Sequence, residues 1–309
     1  MAHASGTYRV EPRGPFSLVN ERQFFGDWLS HPSDPDAVVM AFPVEGWRGC
    51  AAVVVHQEAD GPITGTVTAT GDALPDEAWS QALASLSLDV EGAGFPEVGD
   101  RDRVIGGLQR QYGWLRPVCF HSPYEAAVNF VVGQRISMRQ ARALRTRMAR
   151  DLGESIEVAG QTVHAFPAPE RLLELGTFDG LPEEKLSRLR GIAGAAASGI
   201  LDRAYLRSMP VTEALAELQR LRGVGPFASQ GILHRGAGLV DEVTDDDVTR
   251  EAVQLAYNLP IRPTREEVLA IAEAWRPYRM WSTVLLHVCL RRERGGPTRH
   301  PGRGRKAAA

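Results

Sequence analysis

The stretch Leu218-Gln219-Arg220-Leu221-Arg222-Gly223-Val224-Gly225-Pro226-Phe227-Ala228 decides how the rest of the chain is read. A helix should end at Leu221, and Gly223-Val224-Gly225 should make a tight turn. Pro226 suits the first position of a second helix, where a missing N–H costs nothing. Two glycines let the chain turn sharply and leave backbone N–H groups unobstructed. At a helix N-terminus such groups form an anion site. By itself, Gly-Val-Gly between helices is also an ordinary αα-turn.

Downstream, Val243-Thr244-Asp245-Asp246-Asp247-Val248-Thr249-Arg250 places Asp245 twenty residues after Gly225. A fixed carboxylate there could stabilise developing positive charge, and orient or deprotonate a water. The competing reading is that Thr244 and the three aspartates cap and charge the next helix.

Together, the hairpin, the spacer and the Asp-x-x-Val-x-Arg pattern resemble the helix–hairpin–helix superfamily of DNA glycosylases. Further motifs resemble its bacterial 3-methyladenine DNA glycosylase II branch. These are Phe120-His121-Ser122-Pro123-Tyr124-Glu125-Ala126, Gly133-Gln134-Arg135-Ile136-Ser137, Phe166-Pro167-Ala168-Pro169-Glu170-Arg171, Leu181-Pro182 with Lys185, Leu189 and Ala193, and Trp275-Arg276-Pro277-Tyr278-Arg279 followed by Leu285-Leu286-His287. The resemblance runs from about residue 8 to 293.

It implies a monofunctional enzyme that flips a damaged base and hydrolyses its N-glycosidic bond, with Asp245 as catalytic acid and Asp247 in that role if the spacer is gapped differently. Bifunctional relatives carry a lysine where Phe227 stands, so no strand cleavage is implied. The hairpin residues Gly223, Val224 and Gly225, together with Phe227, would hold DNA. Gln134 and Arg135 would fill the gap left by the flipped base, with a surface salt bridge as the other reading of Arg135. At the branch's pocket positions stand Phe227, Gly231, Asp246 and Cys289, with Phe16 and Trp281 as further candidates, while His287 reads as structural. The resemblance makes alkylated purines the leading substrate, although a pocket with so few rings departs from the branch's aromatic lining for electron-poor bases. A bulky or oxidised lesion is the alternative, and a non-catalytic DNA-structure binder is the alternative from another class. The resemblance implies no required cofactor, leaves room for a monovalent cation at the hairpin, and gives no metal site.

Composition is compatible with this reading. The chain has 309 residues, 43% of them hydrophobic and 24% charged, ordinary for a globular protein that buries its own core. Three scattered cysteines, Cys50, Cys119 and Cys289, exclude an iron–sulfur site of the usual four-cysteine kind and suit a reducing compartment. The net charge of −3 conceals an asymmetry: −11 over residues 1–100, +8 over 101–150 and 0 over the remainder. A basic block in an acidic chain can localise a polyanion on one surface, or simply be a solvated helix face. No signal core or membrane-length apolar run is found, so a cytoplasmic, nucleoid-associated monomer working on damaged double-stranded DNA is expected.

The fold class expected is mixed and mainly α. An N-terminal α/β domain with an antiparallel sheet (1–98) should precede an all-helical helix–hairpin–helix core (99–293) and a basic disordered tail (294–309). Strands are expected at Ala37–Phe42, Ala51–His56 and Ile63–Thr70, and helices near Asn20–Leu29 and Asp76–Leu86. From Pro123 onward, helical spacing recurs through nine segments ending at Trp281–Arg291.

Overall fold

The apolar runs in Ala37–Pro43 (β2) and Cys50–Gln57 (β3) form the centre of an antiparallel sheet whose order is β1-β4-β3-β2, with β1 at Ala4–Val10 and β4 at Ile63–Ala69. The computed structural model describes residues 4–25, 37–58, 61–244 and 246–294. The expected tail beyond Arg294, part of the helix expected up to Leu29, and Asp245 itself lie outside the described residues.

Val53 pairs with Met40 on one side and Val67 on the other, and all three face the larger core. The alternate residues Val39, Ala52 and Val54 are also buried, because a small hairpin, Ser155–Val158 (β5) with Gln161–His164 (β6), covers that second face with Ile156 and Val163. Covering on both faces explains why β2 and β3 are apolar at nearly every position, whereas β4 alternates and leaves Thr66 exposed. On the first face lies the helix Pro75–Ser85 (α2), opened by proline with Asp76 and Glu77 in its first turn. Its Trp79 stacks on Tyr8 at 5.4 Å and lies over Gly65, where an added methyl group would come within 2.2 Å of the indole. The helix Leu18–Phe25 (α1) precedes β2.

The helical part starts with Pro96–Arg101 (α3) and Arg103–Tyr112 (α4), both absent from the sequence reading. Pro123–Val132 (α5) and Met138–Leu152 (α6) fall where helical spacing places them. Ser122 caps α5 by accepting from the Glu125 N–H, and Ser137 with Gln140 forms a capping box on α6. Next come Pro169–Leu173 (α7), Glu183–Ala197 (α8), Arg203–Ser208 (α9), Val211–Gln219 (α10) and Pro226–Gly231 (α11), which runs into a π-helical turn at Ile232–Gly236. Asp247–Ala256 (α12), Arg265–Ala272 (α13) and Arg279–Glu293 (α14) complete the chain's described helices.

Two main apolar clusters result. One joins the sheet and α2–α4 to α12–α14, so the two ends of the chain share a core. The other is built from α5, α6, α8, α10, α11 and the π-turn. The hairpin belongs to the second cluster and α12 to the first, so the segment after Ala237 crosses from one core to the other.

Candidate nucleic-acid interface and active site

The two glycines of the hairpin are required for different reasons. Gly223 has φ +92°, a left-handed conformation, and a Cβ there would lie 2.7 Å from Cδ of Arg188. Gly225 has an ordinary φ of −93° and open space around it, so its missing side chain matters only to something approaching from outside. Buried Val224 anchors the turn between them and donates its N–H to the Leu221 carbonyl at 2.9 Å. Gln219 closes the base of the motif by donating to Ser229 Oγ at 3.1 Å, tying α10 to α11. The first helix stops at Gln219, two residues before the end read from the sequence, because the N–H groups of Arg220 and Leu221 bond three residues back, to the Glu217 and Leu218 carbonyls, and tighten the last turn.

The loop between α5 and α6 is fastened to this hairpin. Gln134 Nε2 donates to the Gly223 carbonyl at 2.6 Å, while Arg188 Nη1 donates to Gln134 Oε1 at 2.6 Å. Lys185 Nζ donates to the carbonyls of Val132 and Gln134 at 2.8 and 2.7 Å. Both ends of the Gln134 amide are therefore engaged, which makes it a strut. The neighbour, Arg135, is exposed and sits at φ 58° at the apex of the loop. Of the two residues expected to enter a duplex, Arg135 is the one presented outward. Lys185 and Arg188, one helical turn apart on α8, were missed as site residues by sequence reasoning. Their spacing on one face of that helix was the available signal.

The segment around Asp245 is held by two histidines, the buried His234 and the half-buried His287. Thr244 Oγ1 lies 3.0 Å from Nδ1 of His234, on the π-turn. Asp246 caps α12, accepting from the Thr249 N–H at 2.6 Å, and Thr249 Oγ1 lies 3.1 Å from Nε2 of His287 on α14. Burial pulls both histidines down to about 4, opposed in part by the Asp246 charge. Each is neutral at physiological pH, so each can hydrogen-bond its threonine without adding charge. His287 is thus the structural histidine expected. His234 carried no signal in the sequence beyond being a polar residue in an apolar run. Asp247 is exposed, facing Arg250 at 3.5 Å and Arg262 at 3.8 Å. Asp246 and Asp247 therefore have structural employment, as a cap and as a surface ion-pair partner.

Among the described residues, those read as a base pocket have separate surroundings. Phe227 is 61% exposed and meets Phe130 edge-on at 5.7 Å. Gly231 lies against the same Phe130 ring, which a Cβ would overlap at 2.1 Å. Phe16 and Trp281 are core residues: the Arg116 guanidinium lies 5.7 Å from one ring and 5.1 Å from the other. Cys289 lines a shallow cavity of about 410 Å³ with Arg103, Leu108 and Gln111, a cavity that Phe227 does not reach. Asp246 is committed to its cap. Phe227 instead borders a cleft of about 1380 Å³ between α5, α6 and β6. Among the described residues no cluster of three or more metal-ligating side chains occurs, and no helix is long and apolar enough to cross a membrane.

No family model matches the chain. A DNA-3-methyladenine glycosylase of Bacillus subtilis (strain 168) is 27% identical over 226 residues, which span 70% of this chain and 75% of that protein. Among solved structures, the 3-methyladenine DNA glycosylase from Archaeoglobus fulgidus has a TM-score of 0.71 at 21% identity, covering 93% of this chain and 98% of the other. An 8-oxoguanine glycosylase/lyase of Clostridium acetobutylicum, solved with double-stranded DNA containing cytosine opposite 8-oxoG, has a TM-score of 0.66 at 15% identity, covering 93% and 98%. The mainly α fold with a small antiparallel N-terminal sheet is therefore one this chain shares with DNA glycosylases. The resemblance read from its motifs stands.

Proposed function

We propose that this chain is a monofunctional DNA glycosylase acting on alkylated bases. The observation that carries the reading is the hairpin: Gly225 leaves its backbone open to a phosphate, and Gln134 ties the loop bearing Arg135 to the Gly223 carbonyl. One rigid unit can then grip the backbone of a strand and reach into the stack beside it. The 3-methyladenine name of the curated relative supports alkylated purines as the substrate class.

The chemistry follows from the residue types. As the base departs, positive charge builds on the sugar, and a carboxylate at Asp245 would stabilise it and orient the water that attacks the anomeric carbon. The glycosidic electron pair leaves with the base, and the proton lost by the water passes to the carboxylate or to solvent. At the position after Pro226 stands Phe227, which has no amine to attack the sugar, so the product is an abasic site in an intact strand.

The test is to incubate the protein with duplexes bearing single lesions and cleave any abasic sites with hot alkali. Methylated purines should give product. Asp245→Asn should lower the single-turnover rate on the order of 100-fold or more while leaving DNA affinity and thermal stability near wild type. A variant that loses its fold together with its activity would assign Asp245 to capping instead.

A further inference from the structure

The cleft that borders Phe227 lies apart from the histidine-bracketed crossing. Neither His234, Thr244, Asp246 nor His287 lines it. Its walls are α6 on one side and β6 on the other, with Phe130 and Phe227 at the end nearest the hairpin. Four arginines of α6 line it, Arg139, Arg142, Arg145 and Arg150, against a single carboxylate, Glu125. That carboxylate is buried and occupied: it accepts from the His121 N–H at 3.2 Å and lies 3.7 Å from Arg145. Two N–H donors on facing walls, Arg145 Nε and Gln161 Nε2, are buried without a hydrogen-bond partner. Buried donors of this kind are seldom left unpaired, because each costs free energy unless something accepts from it. A cleft with cationic walls, unsatisfied donors and aromatic edges has the chemistry of a nucleotide site: phosphate on the arginines, base on the rings.

We propose that this cleft is a second nucleic-acid site that takes an unpaired stretch of DNA strand, with phosphates along Arg139 and Arg142 and a base against Phe130 and Phe227. The occupant is a strand, and not a free nucleotide, because the cleft is continuous with the hairpin surface. Gln134 and Phe227 line the cleft while belonging to the loop and helix that meet the duplex. A strand parted from its complement at the flipped base has this channel beside it. The inference rests on the reading of the chain as a DNA enzyme.

Binding of a fluorescent oligothymidylate to the full chain, measured across a range of salt, tests it. Arg139→Glu with Arg142→Glu should weaken binding by about tenfold or more and flatten the salt dependence by about 0.7 for each phosphate no longer neutralised. The double variant Arg9→Glu with Arg13→Glu, exposed on the N-terminal segment and outside the lining of the cleft, should bind as wild type. That control separates local recognition from net charge. Gly225→Asp should lose duplex affinity yet keep the oligothymidylate. Unchanged affinity and salt slope in the α6 variant, or equal loss in the remote one, would overturn the second site. Displacement of the oligomer by thymidine monophosphate as effectively as by an equal concentration of oligothymidylate would likewise overturn the strand as occupant. A wild-type chain that binds no DNA of any kind would overturn the glycosylase reading itself.

Discussion

At the scale of single residues, three consecutive aspartates invite confusion that the geometry resolves. Asp246 spends its carboxylate on the Thr249 N–H, so Asp246→Ala should lower stability by about 1 kcal/mol in denaturant titration. Asp247 is 77% exposed in its side chain and pairs with surface arginines, so Asp247→Asn should leave the unfolding midpoint unchanged. A midpoint lowered more by the second change than by the first would reverse the assignment. His234 gives a pH signature. Its folded value of about 4 lies below the 6.5 of an unfolded histidine, so the unfolded chain binds the extra proton. Its contribution is therefore intact above pH 6.5 and lost as the pH falls towards 4. The loss amounts to something on the order of 3 kcal/mol across that window. His234→Gln should lessen the slope of melting temperature against pH between those limits, with His287, drawn to a similar value, supplying what remains. An unaltered slope would show that His234 is not the group being protonated.

At the scale of elements, the hairpin separates conformation from access. Gly223→Ala forces a side chain onto a left-handed residue and into Arg188, and should cost about 1–3 kcal/mol of stability. Gly225→Ala meets nothing in the protein, so thermal stability should hold while the dissociation constant for duplex DNA rises. If both variants bind and melt alike, the two glycines share one role and the phosphate site is elsewhere. Much of this level was legible from sequence. Proline-opened and Ser-capped helices such as α5 and α6 fell where their caps and spacing put them, because those signals are local. What was illegible depends on distant partners. The edge strand β1 has no apolar alternation of its own and exists through pairing with β4. The hairpin β5–β6 is four residues a side and is held by burial of Ile156 and Val163 against the sheet. Gln134 could be singled out from its motif, but its part as a strut needed the Gly223 carbonyl, 89 positions away.

Across the whole molecule, the two chain ends are joined at Arg116, and this junction explains why Phe16 and Trp281 belong to the core and not to a base pocket. The Arg116 side chain is almost wholly buried, and burial draws it down to about 10, so it keeps its charge at neutral pH. It donates to three main-chain carbonyls, those of Pro15 (3.0 Å), Ser87 (3.0 Å) and Arg13 (2.7 Å), while its own backbone N–H is accepted by buried Glu21. A lysine has three donors on a single nitrogen, not spread over three atoms of a plane as these carbonyls require, and no apolar side chain can satisfy any of them. Stacked between Phe16 from the N-terminal segment and Trp281 of α14, the guanidinium fastens the sheet to the last helix. Arg116→Met should therefore cost about 3–5 kcal/mol by leaving three carbonyls buried without their donor and removing the positive charge beside Glu21, which keeps only the backbone N–H. Arg116→Lys should recover only part of that loss, because a single ammonium replaces a planar fork. Both costs are read from denaturant unfolding followed by tryptophan fluorescence, which reports Trp281 among other indoles. A methionine variant that unfolds at the wild-type midpoint would mean that the two ends of the chain are held by the apolar core alone.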